Sequence, residues 1–284
     1  MSASTSPFRM ILFDLDGTLL KESREISAKN LRTLKALMDR GIKVGLATGR
    51  SYRSVQPYVQ QLQPNGPLIL FNGAKVWCTT RQEFIYENTL SFEQAYIAMK
   101  LIREFDEEHA AGGDISDIHV NFYAGNDVLI SRKTPRSIES EIKDGVPHTV
   151  VGDLAAYLEN NPKPPVKIML IGDPATLNLF KAEYVRRSPE PTSLIHSEWN
   201  YLELMQNGIN KGQTLKRIEQ SYGCDAREII AFGDNLNDLD LIRFTGLGVA
   251  MGNAHDDLKA IAKRTIGHHE TDTIHEFLSE VFAL

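Results

Sequence analysis

The sequence is poor in several features that would each mark a particular kind of protein. It has two cysteines, Cys78 and Cys224, far apart and in no CxxC or nucleophile motif. That excludes a disulfide framework, fits a reducing compartment, and gives both thiols a structural reading. No stretch approaches the roughly 18 apolar residues of a membrane span, and the opening MSASTSPFRM lacks the apolar core of a signal peptide. The expectation is a soluble, cytoplasmic protein with no membrane partner. Positive charge is also scarce: 31 Lys and Arg stand against 37 Asp and Glu, a net charge of -6, which argues against general affinity for nucleic acid. An anionic ligand would need a locally positive pocket. Internal repeats and low-complexity segments are missing. Gly246-x-Gly248 with Gly252 lacks the spacing of a dinucleotide fingerprint. His268 and His269 have no further ligand at useful spacing and read as solvated residues flanking a helix. Trp77, Trp199, Tyr201 and Phe122 read as core or domain-junction aromatics, since no basic patch accompanies them.

What is present is an ordinary globular composition, 42% hydrophobic and 24% charged over 284 residues, enough for two domains. The first seven residues read as a disordered tail. Met10 to Phe13 is an apolar run, as in a strand buried on both faces. Ser27 to Arg40 has helical spacing, with Ser27 as N-cap and Gly41 as C-cap. A strand over Ile42 to Ala47, a helix over Ser54 to Leu62 with Pro57 in its first turn, and a strand over Pro67 to Phe71 follow. This alternation signals a parallel sheet with crossover helices. It returns late: a helix from Lys211 to Tyr222, a strand over Ile229 to Phe232, a helix over Leu239 to Phe244, a strand over Leu247 to Met251 and a terminal helix. The middle reads as α+β, with strand-like Val76 to Tyr86, Ile118 to Ser131, Val166 to Ile171 and Tyr201 to Met205. Helices are expected over Phe92 to Phe105 and around Ala175 to Val185.

Four polar clusters follow apolar runs or head a helix. Asp14-Leu15-Asp16-Gly17-Thr18 puts two carboxylates at a buried strand's end, costly unless a cation or proton is near. That end of an open α/β sheet is also where ligands bind. Thr48-Gly49-Arg50 offers a hydroxyl and free amides that suit a phosphoryl oxygen. Lys211 heads a helix. Gly233 to Asp238, "GDNLND", gathers oxygen groups suited to a hard cation. Taken singly, these are also a common Asp-Gly turn, the start of a loop, a surface lysine and helix-capping acids.

Together and in this order, "DLDGTLL", "TGR", "NGINKG" and "GDNLND" with "GVAMGNA" resemble the four motifs of the haloacid dehalogenase-like superfamily. The wide gap between the second and third resembles its Cof-type branch, with a large cap inserted there. The resemblance implies a phosphohydrolase in which Asp14 is the nucleophile and Asp16 the general acid and base. Thr48 and Lys211, with the amides of Leu15 and Gly49, would hold the phosphoryl group. Mg²⁺ would be bound by Asp14, the Asp16 backbone carbonyl and Asp234. Asn237 would reach the phosphate side, and Thr18 and Asp238 would support the metal or the lysine from behind the groups that touch the phosphate.

The expected fold is a doubly wound, mostly parallel, Rossmann-like α/β core of residues 1–82 and 203–284, with an inserted α+β cap over 83–202 that selects the substrate. The expected substrates are small phosphorylated metabolites, sugar phosphates by resemblance. A sugar phosphomutase, and a catalytically silent regulatory or scaffolding protein of the same fold, remain as alternatives. Substrate identity and oligomeric state are not legible in the sequence.

Overall fold

The computed structural model describes residues 6–111 and 118–284; the first five residues of the expected tail lie outside these. The chain opens with β1 (Met10–Phe13), α1 (Ala28–Asp39), β2 (Lys43–Ala47), α2 (Tyr52–Leu62), β3 (Pro67–Leu70), β4 (Lys75–Cys78) and β5 (Glu83–Glu87). The middle contributes α3 (Phe92–Ala111), β6 (His119–Ala124), β7 (Asp127–Ile130), α4 (Pro135–Asp144), β8 (His148–Val150), α5 (Leu154–Asn160), β9 (Lys167–Ile171), α6 (Pro174–Arg187), β10 (Thr192–Glu198) and β11 (Tyr201–Gln206). The chain then returns through α7 (Lys211–Ile218), β12 (Ile229–Gly233), α8 (Leu239–Phe244), β13 (Leu247–Ala250), α9 (Asp256–Ile261), β14 (Arg264–Thr265) and α10 (Thr273–Phe282). Contacts divide it into one unit running to Tyr86 and resuming at Asn210, and a second formed by Glu87–Ile209.

The first unit is built on an eight-stranded sheet ordered β14-β13-β12-β1-β2-β3-β4-β5. Its strands from β14 to β3 run parallel, and β4 returns antiparallel to β3. β1 is wholly buried because crossover helices cover both faces of the sheet's centre, which is why its sequence is a continuous apolar run. Strand order departs in opposite directions from β1, toward β2 on one side and β12 on the other. This is a topological switch point, and the carboxyl ends of β1 and β12 open a crevice there.

Local capping sets the helix starts. The Ser27 hydroxyl accepts from the Asn30 N–H at 3.1 Å, and Gly41 beyond the end of α1 takes φ +86°. Ser51 caps α2 in the same way, accepting from Ser54 N–H at 3.2 Å. α2 therefore starts earlier than its apolar spacing suggests, and Pro57 falls beyond the first turn, contrary to expectation. Pro57 and Arg53 both face solvent, and a proline on the exposed face of a helix costs it only the one N–H that proline lacks.

The second unit has a six-stranded sheet ordered β10-β11-β9-β6-β7-β8. One face packs Val120, Phe122, Ile168 and Leu170 against α3, α5 and α6, through residues such as Met99, Leu158 and Phe180. The other face of β6 carries His119, Asn121 and Tyr123, and α4 lies against it with Ser137 and Ser140 buried. α4, β8, α5 and β10 are not foreseen in the sequence. In α4 the buried positions are serines while Ile138 and Ile142 are exposed, so apolar spacing does not mark its inner face. Trp199 is 75% exposed and is not a core residue.

Candidate active site

The switch point brings the first and fourth motifs together. The Asp14 N–H donates to the Phe232 carbonyl at 3.0 Å, so β1 and β12 stay paired to the point where Asp14 and Asp234 leave the sheet. Between Asp14 and Thr18 the chain turns through Gly17 at φ +75°, and a Cβ there would stand 2.4 Å from Asp234 Oδ2. Only glycine permits both the turn and the close approach. The Thr18 hydroxyl donates to Asp234 Oδ1 at 3.1 Å, and Asn253 Nδ2 donates to the Gly17 carbonyl at 2.8 Å.

Lys211 opens α7 behind its N-cap Asn210 and is fully buried. Its Nζ donates to Asp14 Oδ1 and to Asp238 Oδ1, both at 2.6 Å. The other oxygen of Asp238 accepts the backbone N–H groups of Asp234 (3.1 Å) and Asn235 (3.2 Å). Asp238 thus ties the lysine to the loop that carries Asp234.

Carboxylate oxygens of Asp14, Asp234 and Asp238 lie within 4.8 Å of one another. Three acids face one ammonium in a largely dry site. Burial drives the Asp14 carboxyl well above its usual range; the Lys211 charge opposes this, while Asp238 and Asp234 add to it. Burial and then the Asp238 charge push Asp234 up to about 6, against the Thr18 bond and the charges of Lys211 and His269. Burial alone would lower Lys211, but the charges and hydrogen bonds of Asp14 and Asp238 outweigh it and hold the ammonium protonated. The cluster is short of positive charge, and its all-oxygen donor set suits a hard cation.

The Asp16 side chain stands apart from that triad. Arg50 grips it bidentately, Nε to Oδ2 at 2.7 Å and Nη2 to Oδ1 at 2.6 Å, while Arg50 Nη1 donates to Ser54 Oγ at 3.1 Å. Thr48 is buried, and its Oγ1 accepts from the Arg50 N–H at 3.2 Å. The Leu15 side chain is buried and its carbonyl accepts from Leu20 N–H at 2.9 Å, so any contact of Leu15 with a ligand falls to its amide.

Asn237 Nδ2 donates to Asn72 Oδ1 at 3.0 Å. Asn72 follows β3 with φ +52°, and its N–H donates to the Thr48 carbonyl at 2.9 Å. A Cβ on Gly49 would stand 3.2 Å from the Asn72 side chain. Asn72 therefore links the second motif to the fourth, and it and Arg50 are site residues to which the sequence reading gave no role. Their signals were an Asn-Gly after an apolar run and the arginine of "TGR". His269 is not a solvated flank: its Nδ1 lies 2.7 Å from the Leu20 carbonyl and its side chain is 10% exposed.

The chain is 31% identical to a 5-amino-6-(5-phospho-D-ribitylamino)uracil phosphatase of Bacillus subtilis, covering 99% of each. It is 26% identical to a pyridoxal phosphate phosphatase of Escherichia coli, over 95% of this chain and 97% of the other. Among solved structures it resembles a haloacid dehalogenase-like hydrolase from Bacteroides thetaiotaomicron, with a TM-score of 0.86, 27% identity, and coverage of 97% and 100%. Residues 11–278 match one family throughout, and the chain belongs to it: the haloacid dehalogenase-like hydrolases.

Proposed function

We propose that this protein is a magnesium-dependent phosphatase that cleaves phosphate monoesters of small metabolites by way of a phosphoryl group carried on Asp14. The observation that carries the reading is the buried Lys211 ammonium shared by Asp14 and Asp238, with Asp234 close by and, among the described residues, no second lysine or arginine bonded to the triad. A phosphate monoester adds about two negative charges near neutral pH. A carboxylate nucleophile cannot approach it until that repulsion is balanced. Asp14, Asp234 and the Asp16 backbone carbonyl would hold Mg²⁺, which when bound supplies the missing positive charge beside the phosphoryl oxygens.

Asp14 then attacks phosphorus, and the P–O bond to the leaving group breaks as Asp16 donates a proton to the departing oxygen. Lys211 and Thr48, with the amides of Leu15 and Gly49, hold the phosphoryl group in transfer. In the second step Asp16 takes a proton from the water that attacks the acyl phosphate, releasing inorganic phosphate and restoring Asp14. The Arg50 fork stabilises the ionised Asp16 that this second step uses; the first step requires that pair to open. Asn237 turns toward the phosphoryl group from its tether on Asn72, and Thr18 and Asp238 brace Asp234 and Lys211.

The Bacillus and Escherichia relatives are phosphatases of a phosphorylated ribitylaminouracil and of pyridoxal phosphate. They support a small phosphorylated metabolite as substrate, with sugar phosphates among the candidates, selected by the unit Glu87–Ile209. The test is a panel of phosphorylated metabolites incubated with the purified protein and Mg²⁺. Phosphate release that stops in EDTA and returns with excess Mg²⁺ is expected; full activity in excess EDTA refutes the metal mechanism. Interconversion of hexose phosphates without phosphate release would show a mutase instead, and no turnover of any phosphoester a silent protein.

A further inference from the structure

Directly after β3 the chain passes through three consecutive residues of positive φ: Phe71 (+50°), Asn72 (+52°) and Gly73 (+112°). Left-handed backbone is rare for L side chains, and a bulky residue stays there only where its surroundings hold it. Phe71 is buried, and its N–H donates to the Arg50 carbonyl at 3.1 Å. The Asn72 N–H donates to the Thr48 carbonyl at 2.9 Å. The Gly73 carbonyl accepts from the Thr214 hydroxyl at 2.8 Å, and a Cβ on Gly73 would stand 2.6 Å from the Asn210 carbonyl oxygen. One strained turn thus fastens the second motif to the start of α7, which carries Lys211. The side chain of its middle residue reaches the fourth motif. Asn237 is exposed, and among the described residues the bond from its Nδ2 to Asn72 Oδ1 is that side chain's one hydrogen bond. A primary amide carries two N–H groups in one plane. Giving one to Asn72 fixes that plane and leaves the other for a ligand.

We infer that Asn72 is a positioning residue, which aims the free N–H of Asn237 at the phosphoryl group in transfer. The inference rests on the phosphatase reading above, since a phosphoryl group is what Asn237 would meet. The turn sets where Asn72 stands relative to Thr48 and Lys211, and the Asn72 carbonyl oxygen sets the plane of the Asn237 amide. Without that acceptor the exposed amide is free to rotate and to present its own oxygen to an anion, which repels it. A donor's aim counts most in the transition state, so the loss falls on kcat. Asn72 also stands beside the second motif: a Cβ on Gly49 would lie 3.2 Å from Asn72 Oδ1 and 3.3 Å from Nδ2. Charge placed on residue 72 would therefore be felt by an anion held at the Gly49 amide.

The experiment compares two substitutions of Asn72 in the full chain. Asn72→Gly deletes the acceptor and suits the left-handed backbone, so the fold is kept. It should lower kcat on a small aryl phosphate about tenfold, the scale of one hydrogen bond to a charged oxygen, with KM within about twofold of the parent. Asn72→Asp keeps an acceptor for Asn237 but adds a negative charge beside Gly49. It should hold kcat within about threefold and raise KM several-fold, a split that a merely structural residue would not show. In an Asn237→Ala background Asn72→Gly should cost no further kcat. A second measurement needs no turnover. The Asn237 side-chain amide, assigned in a heteronuclear NMR spectrum by its loss in Asn237→Ala, should be rigid in the parent and in Asn72→Asp, and mobile in Asn72→Gly. A parent that turns over no phosphoester would strike the phosphatase reading alone, and the amide's mobility would still decide whether Asn72 holds Asn237. Parent-like kcat in Asn72→Gly, a full further loss in the Asn237→Ala background, or an Asn237 amide as rigid in Asn72→Gly as in the parent would each overturn the inference.

Discussion

The two units hold their largest groups of buried polar side chains in different ways. In Glu87–Ile209 several such groups close on one another, although both ring nitrogens of the buried His148 lack a hydrogen-bond partner. Gln94, fully buried, accepts from Ser91 N–H at 2.8 Å and donates to the Pro191 carbonyl and the Thr192 hydroxyl. Asn121 bonds His119 at 2.9 Å and Ser140 at 2.6 Å, and Lys167 meets Glu203 at 3.1 Å. In the other unit three carboxylates share one ammonium. A satisfied network fixes a shape and asks nothing of solvent or ligand. A buried surplus of one charge costs stability until something binds. The surplus, rather than burial or polarity as such, singles out the proposed active-site cluster.

The comparison breaks most visibly at Asp14. Asp14→Asn removes one charge of the surplus along with the proposed nucleophile. Phosphate release should fall by more than about a hundredfold, given what even auxiliary groups contribute. Denaturant unfolding in EDTA should show a chain as stable as the parent or more so. Retained turnover would remove Asp14 from the mechanism, and a less stable chain would mean that the cluster is structural.

His119 sharpens the same contrast through pH. Burial lowers its pKa to about 4, against the hydrogen bond its Nε2–H donates to Asn121 Oδ1, with His148, Arg132 and Arg136 adding their charges to the lowering. Between that value and the unfolded value of about 6.5 the unfolded chain binds the extra proton, so stability rises with pH. The contribution is complete above pH 6.5 and is lost as pH falls toward 4. At 5% exposure it amounts to about 3 kcal/mol at most. Chemical denaturation of the full chain across that window should show the slope, and His119→Gln should flatten it. An unchanged slope would assign the acid sensitivity elsewhere. Asn121→Leu is the milder form of this experiment. It strands His119 and Ser140 without removing a charge, and should cost about 1–3 kcal/mol while leaving turnover of a small aryl phosphate by the folded protein intact.

The legible parts of the molecule were those written within a few residues. The apolar run before Asp14, the helix headed by Lys211 and the oxygen-rich loop after Phe232 identified their own places, and the charge argument that joins them needs no coordinates. The Asp16–Arg50 fork and the Asn72–Asn237 bond join residues 34 and 165 positions apart, and nothing local to either partner encodes the meeting. In the inserted unit α4 escaped because its buried residues are serines held by hydrogen bonds. Periodicity reads only apolar faces. Pro57 was misplaced for a related reason: the start of α2 is set by the Ser51 cap and not by its first apolar residue.

The smallest expected effect uses one device that both units share. Ser51 caps α2 and Thr134 caps α4, each accepting the N–H three residues on, at 3.2 Å and 3.1 Å. Alanine at either position should cost about 1 kcal/mol, the usual worth of an N-cap, so on stability the two variants should be indistinguishable. Their effects on turnover should part. The first turn of α2 carries Ser54, whose hydroxyl accepts from the same Arg50 that grips Asp16. Loosening that turn loosens the fork, and proton transfer depends on where Asp16 stands. The first turn of α4 carries Ser137, whose hydroxyl donates to the Thr134 carbonyl at 2.8 Å and whose side chain is buried within its own unit. Ser51→Ala should therefore lower kcat on a small aryl phosphate a few-fold, and Thr134→Ala should leave it at the parent value. Equal kcat in the two variants would mean that Arg50 holds Asp16 without help from α2, and the chain of contacts from cap to general acid would end at the guanidinium.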